Sequence, residues 1–256
     1  NGEITSEHAE IDHFVVVRKN VAGENSPIGV NMNAYAYSQG HFMSLAKSGI
    51  SIGRISDFQW QNIEPLPGQI SFAYLDHLAE CASKSKFRLM PITGYAPSWA
   101  ISPPKISPPW KGEYLQNCPP ADSNLLPERI SEIMKRYSNY ITLWEFWNEP
   151  NFNRGPPYYF FGNTKDYITL FRKTLYQCKK IVPACTLVSG GISQHKYVDT
   201  NFTSELIKDS LFAFKAYGFH AYNNPILSWN EIDKVRSKFP EAKLYMTELG
   251  ELVDDS

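Results

Sequence analysis

The sequence lacks an excess of charge of either sign, and it lacks any long apolar run. Its 256 residues carry 25 basic and 26 acidic side chains, so the formal net charge is −1. Binding of nucleic acid or of an anionic membrane through charge needs a basic surface, which this balance does not provide. No apolar run reaches the roughly 20 residues that span a bilayer. We therefore expect no nucleic-acid partner and no membrane partner.

Sequence patterns typical of cofactor and metal sites are also missing. None of the cysteines forms a CxxC pair, and five of the six histidines, His8, His13, His41, His77 and His195, have no metal-ligand spacing. Neither GxGxxG nor GxxxxGK[ST] follows the first strand-like segments. We expect no metal and no cofactor. Cys178 and Cys185 are close enough in sequence to form a disulfide, although buried free thiols are the favoured interpretation, and the redox compartment stays open.

Aromatic residues are abundant at 14% of the chain, with 15 Tyr, 15 Phe and 6 Trp. Such an excess is typical of a heavy core, and it also suits stacking platforms for flat ligands such as sugar rings. Short apolar runs alternate with longer amphipathic stretches. The runs that predict strands are 28–33, 51–56, 87–95, 140–150, 186–191, 213–223 and 243–250. The stretches that predict helices are 41–50, 72–86, 126–139, 164–182, 198–211 and 227–239, with Thr164 and Ser228 as N-caps of two of them.

Repeated strand-then-helix units indicate parallel strands, because each helix serves as a crossover. Seven such strands suit a (β/α)₈ TIM barrel or a doubly wound sheet, and the missing nucleotide-binding patterns favour the barrel. We expect residues 1–256 to form one domain, with 1–27 as an extension or a barrel-floor strand. For the eighth strand we favour a missing C-terminal piece over the apolar segment 14–20, FVVVRKN.

Four residues with suitable chemistry fall at predicted strand ends, where TIM barrels place their active sites: Arg54, Glu149, His220 and Glu248. Pro150 and Gly250 end the strands that carry the two glutamates. Two carboxyl groups facing each other across a barrel mouth suit glycoside hydrolysis, in which one protonates the leaving oxygen and the other attacks the anomeric carbon or activates water.

The motifs around these residues resemble those of glycoside hydrolases of clan A, most closely family 39. WNEPN at 147–151 resembles the acid/base motif on the fourth strand, and TELG at 247–250 resembles the nucleophile motif on the seventh. RISDFQWQNIEPLPGQISFAYLDHL at 54–78 and GYAPSWA at 94–100 resemble the regions after the second and third strands. The resemblance covers roughly residues 28–250.

This resemblance implies a retaining double displacement with Glu149 as acid/base and Glu248 as nucleophile. Arg54 would hold the charge of the nucleophile, and Asn148 would bind the sugar hydroxyl beside the reacting carbon. Tyr222 would orient Glu248, and His220 would lie near the acid/base or the substrate. The eighth-strand tryptophan that clan members use as a sugar platform has no counterpart in the seven predicted strands.

Several assignments stay open at this level. Trp60 and Trp99 are candidate sugar platforms, but anchoring of loops in the core is an equal possibility for each. Glu145 shares the parity of Glu149 but lies deeper in its strand, which favours an interior hydrogen-bonding role. A carbohydrate is the expected partner, and an extracellular or cell-envelope location is the expectation. The alternatives to a hydrolase are a catalytically weak carbohydrate-binding barrel and a transglycosidase.

Overall fold

The computed structural model describes residues 28–32, 37–101, 115–154, 159–194, 198–208, 216–222 and 225–250. Strands and helices alternate along them. The strands are β1 (Gly29–Met32), β2 (Ile52–Ile55), β3 (Arg88–Thr93), β4 (Leu143–Asn148), β5 (Thr186–Gly191), β6 (Ala216–Tyr222) and β7 (Lys243–Gly250). The α-helices are α1 (Gln39–Lys47), α2 (Trp60–Ile63), α3 (Ala73–Lys84), α4 (Leu125–Arg136), α5 (Thr164–Ile181), α6 (Phe202–Lys208) and α7 (Pro225–Lys238). A 3₁₀ turn covers Leu115–Asn117.

The strands are parallel and neighbour one another in chain order. Strands β1 to β5 form one sheet in the order 1-2-3-4-5, and β6 pairs with β7. Ile192, just after β5, joins the two groups, because its N–H donates to Gly218 O at 3.3 Å and its carbonyl accepts from His220 N–H at 3.1 Å. Parallel strands in sequential order with helices between them are the arrangement of a (β/α) barrel. A doubly wound sheet would reverse its strand order part-way, so the barrel expectation is confirmed.

The barrel wall has two free edges within the described residues. No described strand pairs with the outer edge of β1 or β7, and Asn31 Nδ2 spans the opening by donating to Thr247 O at 3.3 Å. Met246 and Leu249 on β7 are about half exposed. The predicted alternative partner, 14–20, and the predicted extension, 1–27, lie outside the described residues.

Strand β4 is rich in aromatic residues. Trp144, Phe146 and Trp147 are all fully buried, as expected for a strand covered on both faces. Trp144 packs edge to face on Phe58, with ring centroids 5.7 Å apart. Phe146 lies 5.6 Å from the ring of Tyr167 on α5. The aromatic excess therefore builds a core around the strand that carries the candidate acid/base.

Helix starts differ from the sequence expectation at two places. Asn163 caps α5 in place of Thr164, because its side chain accepts the Asp166 N–H at 3.0 Å and Asp166 accepts the Asn163 N–H in return. Thr164 instead donates to Asp199 Oδ2 at 2.7 Å. Ser228 lies inside α7, which begins at Pro225, a residue whose fixed φ suits the first helical position.

Candidate active site

The chain turns sharply where β4 ends. Trp147 and Glu149 have φ values of 70° and 46°, in the left-handed region that side chains other than glycine rarely adopt. The Glu149 N–H donates to Gly191 O at 3.1 Å, and a Cβ at Gly190 would lie 2.8 Å from the Phe146 and Trp147 carbonyl oxygens. Glycine at the end of β5 thus allows the kinked backbone to approach closely. Backbone strain of this kind costs about 1–3 kcal/mol per residue and concentrates at functional sites.

Glu149 is buried against His220 at the carboxyl ends of β4 and β6. His220 Nδ1 lies 2.8 Å from Glu149 Oε1, and the tautomer and charge of the pair decide which group donates. The same nitrogen lies 3.5 Å from Glu248 Oε2. The three side chains therefore meet at one point, although they come from β6, β7 and the turn after β4.

Glu248 is held through both of its oxygens. Arg54 Nη1 donates to Oε1 at 2.7 Å, and the Tyr222 hydroxyl donates to Oε2. Burial raises the pKa of Glu248. The charges of His220 and Arg54 and the hydrogen bonds from Tyr222 and Arg54 lower it by more than burial raises it, so the pKa lies below its usual range. Burial and the neighbouring carboxylate raise the pKa of Tyr222, which keeps its hydroxyl a donor. These contacts favour an ionised Glu248.

The two carboxylates are close together. One oxygen of Glu149, one oxygen of Glu248 and one ring nitrogen of His220 all lie within 4.8 Å of one another. An oxygen-to-oxygen distance of at most 4.8 Å is compatible with the roughly 5–5.5 Å between carboxyl groups that is typical of retaining glycosidases.

Arg54 on β2 donates hydrogen bonds to residues of three other strands, β1, β4 and β7. Besides Glu248, it donates to Asn148 Oδ1 at 2.6 Å, to Asn31 Oδ1 at 3.1 Å and to Glu145 Oε2 at 2.5 Å. Burial lowers the pKa of Arg54, but the charges of Glu145 and Glu248 raise it above its usual range, so the guanidinium stays charged. Asn148 is thereby fixed with its amide oxygen on the arginine.

A cavity of about 320 Å³ opens beside this network. Its lining includes Arg54, Asn148, Glu248, Asn31, Gln59 and Tyr95. The Tyr95 ring stacks on Trp147 with centroids 4.5 Å apart, and its hydroxyl accepts the Asn148 N–H at 3.2 Å. Glu149 borders the network through His220 and does not line the cavity. The lining combines these polar groups with the apolar residues Met32 and Ile92, a composition that suits a sugar ring.

Neither of the two candidate platform tryptophans lines this cavity. Trp60 is 1% exposed, and its indole N–H donates to Glu64 Oε2 at 2.8 Å. Trp99 is half-buried, donates to Glu64 O at 3.1 Å and packs edge to face on Trp60. A stacking platform needs an exposed ring face, so the structure corrects the expectation for Trp60. Both tryptophans instead anchor the segment around Glu64, whose Oε1 also accepts the Gly68 N–H at 2.9 Å.

Sequence reasoning did not assign roles to several residues that shape the site. Asn151 is buried and joins the turn after β4 to the chain after β5, donating to Ser193 O at 2.7 Å and accepting from Ser193 N–H at 2.9 Å. Asn31 and Tyr95 hold Arg54 and Asn148 as described above. Asn151 ends the WNEPN motif and Tyr95 lies in the GYAPSWA motif, so both could have been singled out there, whereas nothing local to Asn31 marks it.

Glu149, His220 and Glu248 are also a set of donors that could hold a metal ion. The charge of Arg54, which donates to Glu248 at 2.7 Å, already balances one carboxylate and would repel a cation. We assign no metal to this group. Among the described residues, no helix has the length and apolar character needed to cross a membrane.

Comparison with known proteins gives a local sequence match. The family model of the glycoside hydrolase family 42 beta-galactosidases matches residues 35–107, which is less than half of the chain. The matched segment carries Arg54 and the Trp60–Glu64 region. No curated protein matches the chain significantly.

Solved structures match over most of the chain. A family 39 beta-xylosidase from Caulobacter crescentus has a TM-score of 0.66 and 16% identity, covering 92% of this chain and 56% of its own. A family 39 glycoside hydrolase from Bacteroides cellulosilyticus WH2 has a TM-score of 0.60 and 19% identity, covering 86% and 48%. Xylanase 10B from Thermotoga maritima has a TM-score of 0.64 and 16% identity, covering 93% and 75%.

At these identities the structural likeness establishes the fold alone. The chain spans about half the length of the family 39 structures that it matches. The local sequence match and the fold nevertheless agree with the motif resemblance read from the sequence. The chain is thus similar to clan A glycoside hydrolases, and its fold is that of their TIM barrels.

Proposed function

We propose that the chain is the catalytic barrel of a retaining glycoside hydrolase, with Glu149 as general acid/base and Glu248 as nucleophile. The observation that carries this proposal is the meeting of the two carboxylates within 4.8 Å at the carboxyl ends of the barrel strands. Each carboxylate has a different environment. Glu248 is surrounded by donors and a guanidinium, whereas Glu149 contacts only His220 among the ionisable groups described above.

In the first step, Glu248 attacks the anomeric carbon of the sugar while Glu149 donates its proton to the departing glycosidic oxygen. The bond between that carbon and the leaving oxygen breaks, and a covalent ester to Glu248 forms. The nucleophile must be ionised for this step, and the contacts from Arg54 and Tyr222 favour that state.

In the second step, Glu149 takes a proton from water, which attacks the same carbon and releases Glu248. The two inversions together retain the configuration of the sugar. His220 contacts both carboxylates, so it can keep Glu149 oriented while the charge moves between steps. The amide of Asn148 lies on the cavity wall beside Arg54, where it can bind the hydroxyl next to the reacting carbon.

We infer a carbohydrate substrate, bound in the cavity between Arg54, Asn148 and Glu248. Trp99 is partly exposed. In this proposal it supports the loop region and does not form the floor of the sugar site. We further propose that the protein acts on an extracellular polysaccharide or its fragments. It would then be located outside the cytoplasm or in the cell envelope. Fractionation of the source cells would test that location.

The test is covalent trapping with activated 2-deoxy-2-fluoro glycosides. The fluorine slows both steps, and a good leaving group restores only the first, so the sugar ester accumulates. The panel should contain β-xyloside, β-galactoside and β-glucoside reagents. Intact mass followed by peptide mapping should find one sugar per chain, attached to Glu248, and none on the Glu248→Gln variant.

The outcomes separate the functional classes. An adduct on Glu248 supports the retaining enzyme, and the sugar that reacts identifies the substrate class. Product analysis with added acceptor sugars then distinguishes a hydrolase from a transglycosidase. An adduct on another residue would overturn the assignment of the nucleophile. Sugar binding by calorimetry without any adduct would favour a carbohydrate-binding barrel over an enzyme.

A further inference from the structure

Glu145 is a fully buried carboxylate in β4, four residues before the candidate acid/base, and the proposed mechanism does not use it. Its exposed fraction is 0%, and it does not line the cavity beside Glu248. A substrate that occupies that cavity therefore does not touch it. A buried charge is costly unless it is paired and hydrogen-bonded, so its contacts indicate why it is there.

Both oxygens of Glu145 accept hydrogen bonds from fixed donors. Oε2 accepts from Arg54 Nε at 2.5 Å, and Oε1 accepts from the Gly191 backbone N–H at 2.9 Å. Gly191 ends β5, so Glu145 is tied to a neighbouring strand as well as to the arginine of β2. The carboxylate therefore holds the Nε edge of the guanidinium in a place defined by the barrel wall.

The two terminal nitrogens of the same guanidinium contact the proposed nucleophile and Asn148. Arg54 Nη1 donates to Glu248 Oε1 at 2.7 Å, and Nη2 donates to Asn148 Oδ1 at 2.6 Å. A guanidinium is planar and its donors have a fixed geometry, so fixing Nε also fixes the directions of Nη1 and Nη2. Rotation of the group away from Glu145 would move both contacts.

We propose that Glu145 is a positioning residue, which aims Arg54 so that this arginine orients the nucleophile Glu248 and the sugar-binding Asn148. The inference rests on the proposed function for its catalytic consequence. A carboxylate is required because it offers two acceptors. Glutamine has one acceptor, so its amide NH₂ would face either Arg54 Nε–H or Gly191 N–H, both of which are donors.

The first test needs no substrate. NMR of the ¹⁵N-arginine-labelled chain measures solvent exchange of the Arg54 Nε–H, assigned with Arg54→Lys. The unsubstituted chain should show a slowly exchanging Nε–H, and Glu145→Gln should accelerate its exchange at least tenfold. Glu132→Gln is the matched control, because it removes the same charge from an exposed partner of Arg129 on α4, and it should leave Arg54 unchanged.

Glu145→Asp provides a second variant if the glutamine protein does not fold. It keeps the charge but is one methylene shorter, so it cannot reach both donors, and the exchange should accelerate again. If Arg54 Nε–H exchanges as fast in the unsubstituted chain as in an exposed arginine, the arginine is not fixed and the inference is overturned. Unchanged exchange in both variants would overturn it as well.

The second test measures the consequence for chemistry, as the rate of sugar transfer from the reactive 2-fluoro glycoside to Glu248. Glu145→Gln should lower this rate about 10- to 100-fold, the range seen when hydrogen-bond partners that orient metal ligands are removed. Added to Arg54→Lys it should cause no further loss, because it acts through that arginine, whereas a general structural defect would add to it.

The two tests separate the two proposals. Suppose that Glu145→Gln accelerates exchange of the Arg54 Nε–H but the unsubstituted chain forms no sugar adduct. The positioning of Arg54 by Glu145 would then stand, and the retaining mechanism would be rejected. An adduct whose rate is the same with and without Glu145→Gln would retain the mechanism and overturn the positioning role.

Discussion

Arg54 and Glu248 lie 194 positions apart in sequence, yet Nη1 of the arginine donates to Oε1 of the glutamate at 2.7 Å. The contact joins β2 to β7 across the mouth of the barrel. It pairs the positive charge of one strand end with the carboxylate that we propose as nucleophile. The behaviour of Glu248 with pH should therefore depend on its neighbours.

The first prediction concerns the acid limb of kcat/KM. Because the pKa of Glu248 is lowered, this proposed nucleophile stays ionised as the pH falls, and activity should be lost only below about 4.3, the ordinary value for glutamate. Tyr222→Phe removes a hydrogen bond that favours the ionised form, so the acid limb should move to higher pH.

Tyr176→Phe is the control for this measurement, because Tyr176 is 72% exposed on α5. This variant also removes one tyrosine hydroxyl, but outside the site, and it should leave the pH profile of kcat/KM unchanged. An acid limb that stays in place in Tyr222→Phe would contradict the proposed role of this hydroxyl.

The second prediction separates the roles of the two glutamates. Glu149→Ala should lower kcat about 10²–10⁴-fold on substrates with poor leaving groups, which need protonation. With a 2,4-dinitrophenyl leaving group, which departs unprotonated, formation of the covalent intermediate should be nearly as fast as in the unsubstituted chain. The measurement is the presteady-state release of dinitrophenol, with Glu241→Ala, an exposed glutamate, as control. Equal losses on both substrates would remove Glu149 from the role of acid.

The third prediction concerns close packing behind His220. A Cβ at Gly191 would lie 2.0 Å from His220 Nε2 and 2.6 Å from Thr247 Oγ1, so Gly191→Ala must displace one of them. We expect a loss of about 1–3 kcal/mol in the free energy of unfolding, typical of overpacking, together with lower kcat because His220 contacts Glu149. Urea unfolding and steady-state kinetics measure the two effects.

Gly40→Ala gives the comparison, because Gly40 is exposed on α1 and the nearest atom to its added Cβ is Ser38 Oγ at 3.5 Å. An alanine there should stabilise the helix slightly. If both variants unfold alike, the packing around His220 is looser than the structure indicates.

The fourth prediction uses Asp57, a half-buried carboxyl group after β2 with one oxygen that lacks a hydrogen-bond partner. Burial raises its pKa to about 6, against the lowering effect of a hydrogen bond from Tyr74. The folded chain therefore binds the Asp57 proton more tightly than the unfolded chain does. Its contribution to stability is fully present below the unfolded value near 3.9 and is lost as the pH rises through about 6.

Asp57→Asn should remove this loss. Its free energy of unfolding, relative to that of the unsubstituted chain, should be about 1 kcal/mol higher at pH 7 than at pH 4, after a discount for solvent screening. Urea unfolding at the two pH values measures it. Asp233→Asn, on the exposed side of α7, changes the charge equally at a distance from this site. If Asp57→Asn and Asp233→Asn change stability alike at both pH values, Asp57 does not carry the effect.

Much of the barrel could be predicted from local sequence because its signals are local. The runs 186–191 and 243–250 agree with β5 and β7 to the residue, and the other predicted elements begin and end within a few residues of the prediction. The short helix α2 and the 3₁₀ turn at Leu115–Asn117 were not predicted. Apolar strand runs, helical periodicity and strand-ending residues such as Pro150 need only short windows. The cap of α5 was misassigned by one residue because Asn163 and Thr164 are both capable of capping.

Exposure was the property that sequence could not provide. Trp60 follows a strand at the barrel mouth, a position equally suited to a sugar platform and to the core. In the structure, Trp99 packs against the Trp60 ring and Glu64 accepts the hydrogen bond from the Trp60 indole. Arg129 on α4 pairs with the same Glu64 carboxylate. These contacts place Trp60 in the core. Trp99 and Arg129 come from distant parts of the chain.

The sequence by itself determined the order of strands and helices, and it brought Arg54, Glu149, His220 and Glu248 to strand ends, because strand direction and strand ends are encoded locally. Only the tertiary structure decided which of these groups touch. Curvature of the wall joins Glu149 to His220, Arg54 to Glu248, and Glu145 to Arg54 and Gly191. The orientation and the protonation state of these side chains depend on these contacts. The contacts form only when strands far apart in the chain pack around one interior.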